Sequence, residues 1–137
     1  MIAIDIETTG LNPKEDKITE IAGVRFEGDV VLDEFQSLVN PNRPIPQNVI
    51  HLTHITNDMV RGAPQVLEVI EKFGAFVGRE PVVGHNITFD LSFLQQGGIL
   101  RGNPFYDTYA LASVLIPDAP RRSEEHTSEL QSPSLIS

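Results

Sequence analysis

A chain of 137 residues, 40 % hydrophobic and 21 % charged, has the size and composition of one globular domain with a sizeable core. Its formal charge of -9 argues against a broad non-specific grip on nucleic acid, which needs Lys and Arg to neutralise phosphates, but leaves room for a nuclease whose acids are neutralised by divalent ions. Zero cysteines exclude disulfides and thiolate metal sites, and neither a membrane-length apolar run nor the Lys/Arg-rich start of a secretory signal is present, so a cytoplasmic protein with no membrane role is expected.

The first predicted element is the strand within IAIDIETTGL, residues 2–11. Residues two apart on a strand share a face, so Asp5 and Glu7 project together, about 7 Å apart at their Cα atoms. Ile2, Ile4 and Ile6 point the other way into a core. Thr8-Thr9-Gly10 ends the strand in a polar turn whose backbone can approach a ligand closely. Two adjacent acids repel each other, a cost usually tolerated where a cation sits between them. Taken alone, an Asp-x-Glu pair more often marks an edge strand with its acids in water; the rest of the chain decides.

Asn12 to Lys17 reads as a polar turn and Ile18 to Phe26 as a second strand, with Ile18, Ala22, Val24 and Phe26 on one face. Glu20 falls on that face too and reads as an exposed strand end rather than a partner of the first two acids. Gly28-Asp29 signals a hairpin into a third strand, Val30 to Val39, which the proline-rich stretch 40–46 stops. Short helical turns are expected over Val49 to Arg61, with Thr56 or Asn57 as a cap. After Pro64, the spacing of Val66, Val69, Ile70, Phe73 and Val77 predicts an amphipathic helix closed by Gly78.

Val82-Val83-Gly84 is a short apolar strand, expected to run parallel to the first because a helix separates it from the meander. Asn86 stands where an N-cap belongs, before a helix over Ile87 to Gln96 with Ile87, Leu91 and Leu94 as its apolar stripe. Asp90 lies on or beside that stripe, an expensive place for an unpaired charge. Gly97-Gly98 ends the helix; a last short strand is expected over Asn103 to Tyr106, and Asp107-Thr108 as the cap of a helix Tyr109 to Leu115. The polar run RSEEHTSELQS, residues 122–132, resembles the in-frame translation of a common sequencing adapter. The expected organisation is therefore a domain over 1–121 and a non-native tail over 122–137.

With these elements placed, the chain resembles the DEDD family of 3′-5′ exonucleases, which includes the proofreading epsilon subunit of bacterial DNA polymerase III. The resemblance rests on Asp5-x-Glu7-Thr8-Thr9-Gly10-Leu11, on Val83-Gly84-His85-Asn86-x-x-Phe89-Asp90-x-x-Phe93-Leu94, and on Asp107-Thr108. It implies an α/β, ribonuclease H-like mixed sheet: an antiparallel three-strand meander plus parallel strands, flanked by helices. It also implies hydrolysis of phosphodiesters at a single-stranded 3′ end, of DNA, with two Mg²⁺ or Mn²⁺ ions. Asp5 would bridge both ions, Glu7 would hold one, and Asp90 would support the site from its helix. Thr8 and Thr9 would hold the terminal nucleotide with Leu11 against its base, while Asn86 and Phe89 would line the strand's path.

Two departures from the family pattern stand out. His54 occupies a position where the family commonly has glycine. The third motif, a histidine or tyrosine followed by an aspartate, is expected in a helix beyond Pro120 and is absent, so the general base and fourth carboxylate are missing and the chain as it stands is expected to be inactive. The run from Asn103 to Pro117 most resembles exonuclease domains joined to a helicase, with a polymerase-associated proofreading domain second. The rival function is a non-catalytic module of the same fold that binds nucleic acid or a partner protein. A Rossmann-type domain is excluded because its G-x-G-x-x-G turn does not follow the first strand.

Overall fold

The computed structural model describes residues 1–108. The expected helix over 109–115 and the boundary at 121 and 122 lie outside the described residues. Five strands form one mixed sheet in the order β3-β2-β1-β4-β5: β1 (Ile2–Thr8), β2 (Ile18–Glu27), β3 (Val30–Leu38), β4 (Val82–Gly84) and β5 (Phe105–Asp107). The first three strands make the antiparallel meander, and β4 and β5 add in parallel beyond β1, with Ile2 opposite Val82 and Val83 opposite Tyr106. The two-residue hairpin Gly28-Asp29 has φ +59° at Gly28, which suits a residue without Cβ.

Four helices complete the described residues: α1 (Gln47–Thr53), α2 (Asn57–Arg61), α3 (Val66–Val77) and α4 (Ile87–Leu94), the last running into a 3₁₀ turn at Gln95–Gly97. Thr56 caps α2, its side chain accepting the Met59 amide at 3.3 Å. The predicted stripe on α3 is the observed one, for Val69, Ile70, Phe73 and Val77 are buried.

Directly paired residues in a sheet share a face, so the pairs Ile4–Gly23 and Gly23–Phe35 put these three beneath α3. Phe73 lies there fully buried, with ring centroids 5.1 Å from Phe35 and 6.1 Å from Phe76. Gly23 makes this approach possible, since a Cβ there would sit 2.9 Å from the Phe73 ring. The buried face of β2 towards α3 is therefore built by Ile21 and Gly23, and not by the Ala22-Val24-Phe26 row that alternation suggested. Arg25, also on the α3 side, lies 4.6 Å over the Phe76 ring and donates to Glu80 at 2.8 Å.

The ladder slips between Glu7 and Thr8, where Thr8 pairs with Ile18 and Thr19 is left as the extra residue. At the far edge, β3 leaves Val30, Val31 and Leu32 more than half exposed. Among the described residues, no helix is long and apolar enough to cross a membrane.

Candidate active site

With Ile2, Ile4 and Ile6 beneath α3, the alternation of β1 sends Asp5 and Glu7 to the opposite face, where both are half-buried. Ala22 stands opposite Asp5, and Glu20 stands opposite Glu7. Asp90 comes from the first turn of α4, where the helix end favours a carboxylate, and only 5 % of it is exposed. Two features bring α4 to the sheet. Gly84 ends β4 where a Cβ would lie 3.1 Å from the Ile4 carbonyl oxygen and 3.4 Å from Ile87. Asn86 then turns the chain with φ +54°, and its amide donates to Asp107 Oδ1 at 3.1 Å.

The three acids act on one another. Burial, then the charge of Glu20, raises Asp5 from an ordinary 3.8 to about 7, against the Ile6 backbone amide. Glu7 rises from 4.5 to about 8 through burial, then Asp5, then Glu20. Asp90 is pushed well above the carboxylate range by burial and then Asp5, with Glu7 and Asp107 adding to it and the Ile6 amide opposing. Buried acids that repel one another in this way form a place where a cation would be favoured. Asp107 thus belongs to the electrostatic neighbourhood of the site as well as to the start of whatever follows β5. Glu20, read from sequence as a bland strand end, belongs to that neighbourhood too, and it accepts a hydrogen bond from Gln36 at 2.7 Å.

The chemistry of this donor set fits a hard divalent cation: carboxylate oxygens only, crowded and short of positive charge. Among the described residues, no three acid or imidazole side chains already stand together as a ready metal cage. Asp5 and Glu7 on the strand, with Asp90 behind them, are the residues that would hold the ions.

The remaining sequence candidates fall around this group. Thr8 and Thr9 are buried at the end of β1, Thr8 donating to the Gly10 carbonyl at 2.6 Å, and Leu11 projects from the turn 83 % exposed. Asn86 is exposed and occupies the N-cap position, but its left-handed backbone carries no side-chain cap, so its expected capping role is corrected. Asparagine tolerates that conformation better than most residues, and the sharp turn from β4 into α4 requires it. Phe89 is half-buried with its ring centroid 5.1 Å from Phe93, packed against the core as well as facing outward. His54 holds the left-handed C-cap of α1 at φ +64°, a backbone state that explains a preference for glycine there.

Comparison with known proteins adds a family and relatives. A model of the RNase T family, described as exonuclease, matches residues 2–132. PolC-type DNA polymerase III of Oceanobacillus iheyensis is 40 % identical over 122 residues, 85 % of this chain, and that of Bacillus subtilis is 38 % identical over 123 residues. The chain spans only 8 % and 9 % of those two relatives. Exonuclease X, solved in complex with 5′ overhanging duplex DNA, is 31 % identical with a TM-score of 0.69, over 87 % of this chain and 66 % of that one. Product-bound exonuclease I superposes with a TM-score of 0.73 at 16 % identity over 95 % of this chain and 37 % of that one, a likeness of fold alone.

Proposed function

The chain belongs to the RNase T, or DEDD, family of exonucleases, and on that premise we propose that it carries the acidic half of a site that hydrolyses phosphodiesters at single-stranded DNA 3′ ends. The observation that carries the reading is the buried carboxylate of Asp90 set against Asp5 and Glu7, three mutually repelling acids at the central strand of the sheet. Mg²⁺ or Mn²⁺, two ions in the complete domain, would supply a water nucleophile at neutral pH and stabilise the departing 3′ oxygen. Asp5 would be shared between the ions, Glu7 would hold one, and Asp90 would support them from α4.

The turn after β1 then receives the substrate. Thr8 and Thr9 bind the terminal nucleotide, the exposed Leu11 side chain meets its base, and Asn86 and Phe89 border the path of the strand. A helix beyond Pro120 bearing a histidine and an aspartate would supply the general base and the fourth ligand, and residues 122–137 are kept as an appended tail, although the family match runs to residue 132. A polymerase is the favoured larger partner, given the PolC-type relatives. A fused helicase, suggested by residues 103–117, is the second. Absence of disulfides suits a cytoplasmic setting.

The test is release of a labelled nucleotide from a 3′-labelled single strand in Mn²⁺, with DNA and RNA versions compared. The chain as given is expected to be nearly inactive, because a general base alone contributes on the order of 10²- to 10⁴-fold. A chain whose residues after Pro120 are replaced by a helix carrying the histidine and aspartate is expected to be active, and Asp5→Ala abolishes that activity. Equal, robust activity in both chains would overturn the reading; persistent inactivity of the repaired chain, with tight strand binding, would favour the non-catalytic module.

A further inference from the structure

The turn that presents Thr8, Thr9 and Leu11 is not self-supporting. One side chain, Asp16, spans it from the far side of the 12–17 loop. Asp16 Oδ1 accepts the Thr9 hydroxyl at 3.0 Å while its Oδ2 accepts the Asn12 amide at 3.0 Å. The same Thr9 hydroxyl accepts the Lys17 amide at 3.0 Å, and the Thr9 amide donates to the Lys17 carbonyl at 2.8 Å, so the far end of the loop closes on Thr9. Gly10 lies directly under the carboxylate: a Cβ there would come within 2.4 Å of Asp16 Oδ2. The absent side chain at Gly10 therefore makes room for Asp16, a use that its place in a turn does not reveal.

Two further contacts hold the loop that carries Asp16. Arg43, from the segment after β3, donates to the Glu15 carbonyl at 2.8 Å and lies 3.8 Å from Asp16 Oδ1. Gln96, in the 3₁₀ turn after α4, donates to the Pro13 carbonyl at 2.8 Å. Asp16 is thus fixed to the body of the domain and in turn fixes Thr9. Its charge is of the wrong sign to meet a phosphate, so its value to a nucleic-acid site must come through geometry.

We propose that Asp16 is a positioning residue, which holds the Thr8–Leu11 turn in the shape that grips the last nucleotide of a 3′ end. The inference rests on the 3′-end reading given above. It makes a prediction opposite in sign to simple electrostatics. Removing a carboxylate from a strand-binding surface ordinarily tightens binding, because one less negative charge opposes the phosphates. Here removal weakens it, since the terminal nucleotide must then order the turn itself.

The experiment measures anisotropy of a 5′-fluorescein oligodeoxythymidylate in Ca²⁺, with a free 3′ hydroxyl or a 3′ phosphate, on the full chain. Asp16→Ala is expected to raise Kd for the free 3′ hydroxyl by about 10-fold, the scale of two lost hydrogen bonds to a charged group tempered by exposure. Asp16→Asn, which removes the same charge but can keep one of the two bonds, is expected to fall between. The preference for the free hydroxyl over the phosphate should collapse towards 1 in both, a change that general loosening of the fold would not single out. Gly10→Ala, which puts a Cβ against the Asp16 carboxylate from its other side, should reproduce the loss. Equal or tighter binding by the Asp16 variants, with wild-type binding intact, overturns this inference and leaves the 3′-end reading standing. A wild-type chain that binds neither oligonucleotide overturns both.

Discussion

Glu7 and Glu20 stand directly opposite each other on β1 and β2, at the last pair before the ladder slips at Thr8. Like charges in that position destabilise a sheet, and the Gln36 amide, donating to Glu20, softens the clash. A protein keeps such a pair where something else compensates, and a cation at this face would do so.

A dependence of stability on pH follows. Asp5 and Glu7 titrate near 7 and 8 in the folded chain and near 3.8 and 4.5 when free of it. Between those limits the folded state binds more protons than the unfolded, so stability falls as pH rises. The penalty is absent below about pH 4 and complete above about pH 8. In chelator, the melting midpoint should therefore decline from pH 5 to pH 8.5. Millimolar Mg²⁺ or Mn²⁺ should recover it at the alkaline end, because the unfolded chain cannot match that binding. A midpoint that is flat in chelator, or rises, would contradict the electrostatics described here.

Neutralising the buried acid separates stability from ion binding. Asp90→Asn replaces a group whose ionisation burial, then Asp5, then Glu7 oppose, so the variant should be at least as stable as wild type in chelator and gain on it as pH rises. The same variant should lose most of the stabilisation by divalent ions. Thermal melts of both proteins with and without Mn²⁺ test this, and a variant less stable in chelator yet fully responsive to Mn²⁺ would count against Asp90 as a member of the site.

Gly84 fixes where Asp90 arrives. Its missing Cβ faces the Ile4 carbonyl oxygen at 3.1 Å, a backbone atom that cannot swing aside. Gly84→Ala should cost about 1–3 kcal/mol by overpacking and weaken the response to divalent ions, because α4 must shift against β1. Gly62→Ala, where nothing lies within 4 Å of the added Cβ, is the control and should change little.

The centre of the α3 interface can be checked independently of the site. Phe73 is fully buried between Phe35 and Phe76, so Phe73→Ala should lower stability by about 3–5 kcal/mol in denaturant titrations. Leu67→Ala, at a position on the same helix that is 73 % exposed, should stay within about 0.5 kcal/mol.

The shared face of Asp5 and Glu7 and the burial of Asp90 were legible in the sequence because their signal is local: period two on a strand, and a charge beside the apolar stripe of a helix. The meander and the parallel return were legible from the hairpin at Gly28-Asp29 and the intervening α3. What escaped depends on pairing. Glu20 shares a face with Ala22 by plain alternation, but it is the pairing of β2 with β1 that sets it opposite Glu7, and no periodicity within β2 announces that register. Asn86 looked like a cap, yet its left-handed backbone turns its side chain away from that task. Gly10 looked like room for a ligand, and the room is taken by Asp16, six residues on. Each miss is a contact between residues distant along the chain or set by a turn, where pattern carries no information.

The open edge at β3 has a consequence of its own. Val30, Val31 and Leu32 are 55–59 % exposed on a strand that, among the described residues, has no neighbour on its outer side, the kind of template on which a second chain can add and aggregation can begin. Around them stand Glu27, Asp29, Asp33 and Glu34. In an antiparallel self-pairing centred on Val31, Asp29 of one copy would meet Asp33 of the other, so the charge that makes the chain acidic also acts as a gatekeeper at its most adhesive strand. High salt or acidification, which weakens that repulsion, is where the protein should first lose its solubility.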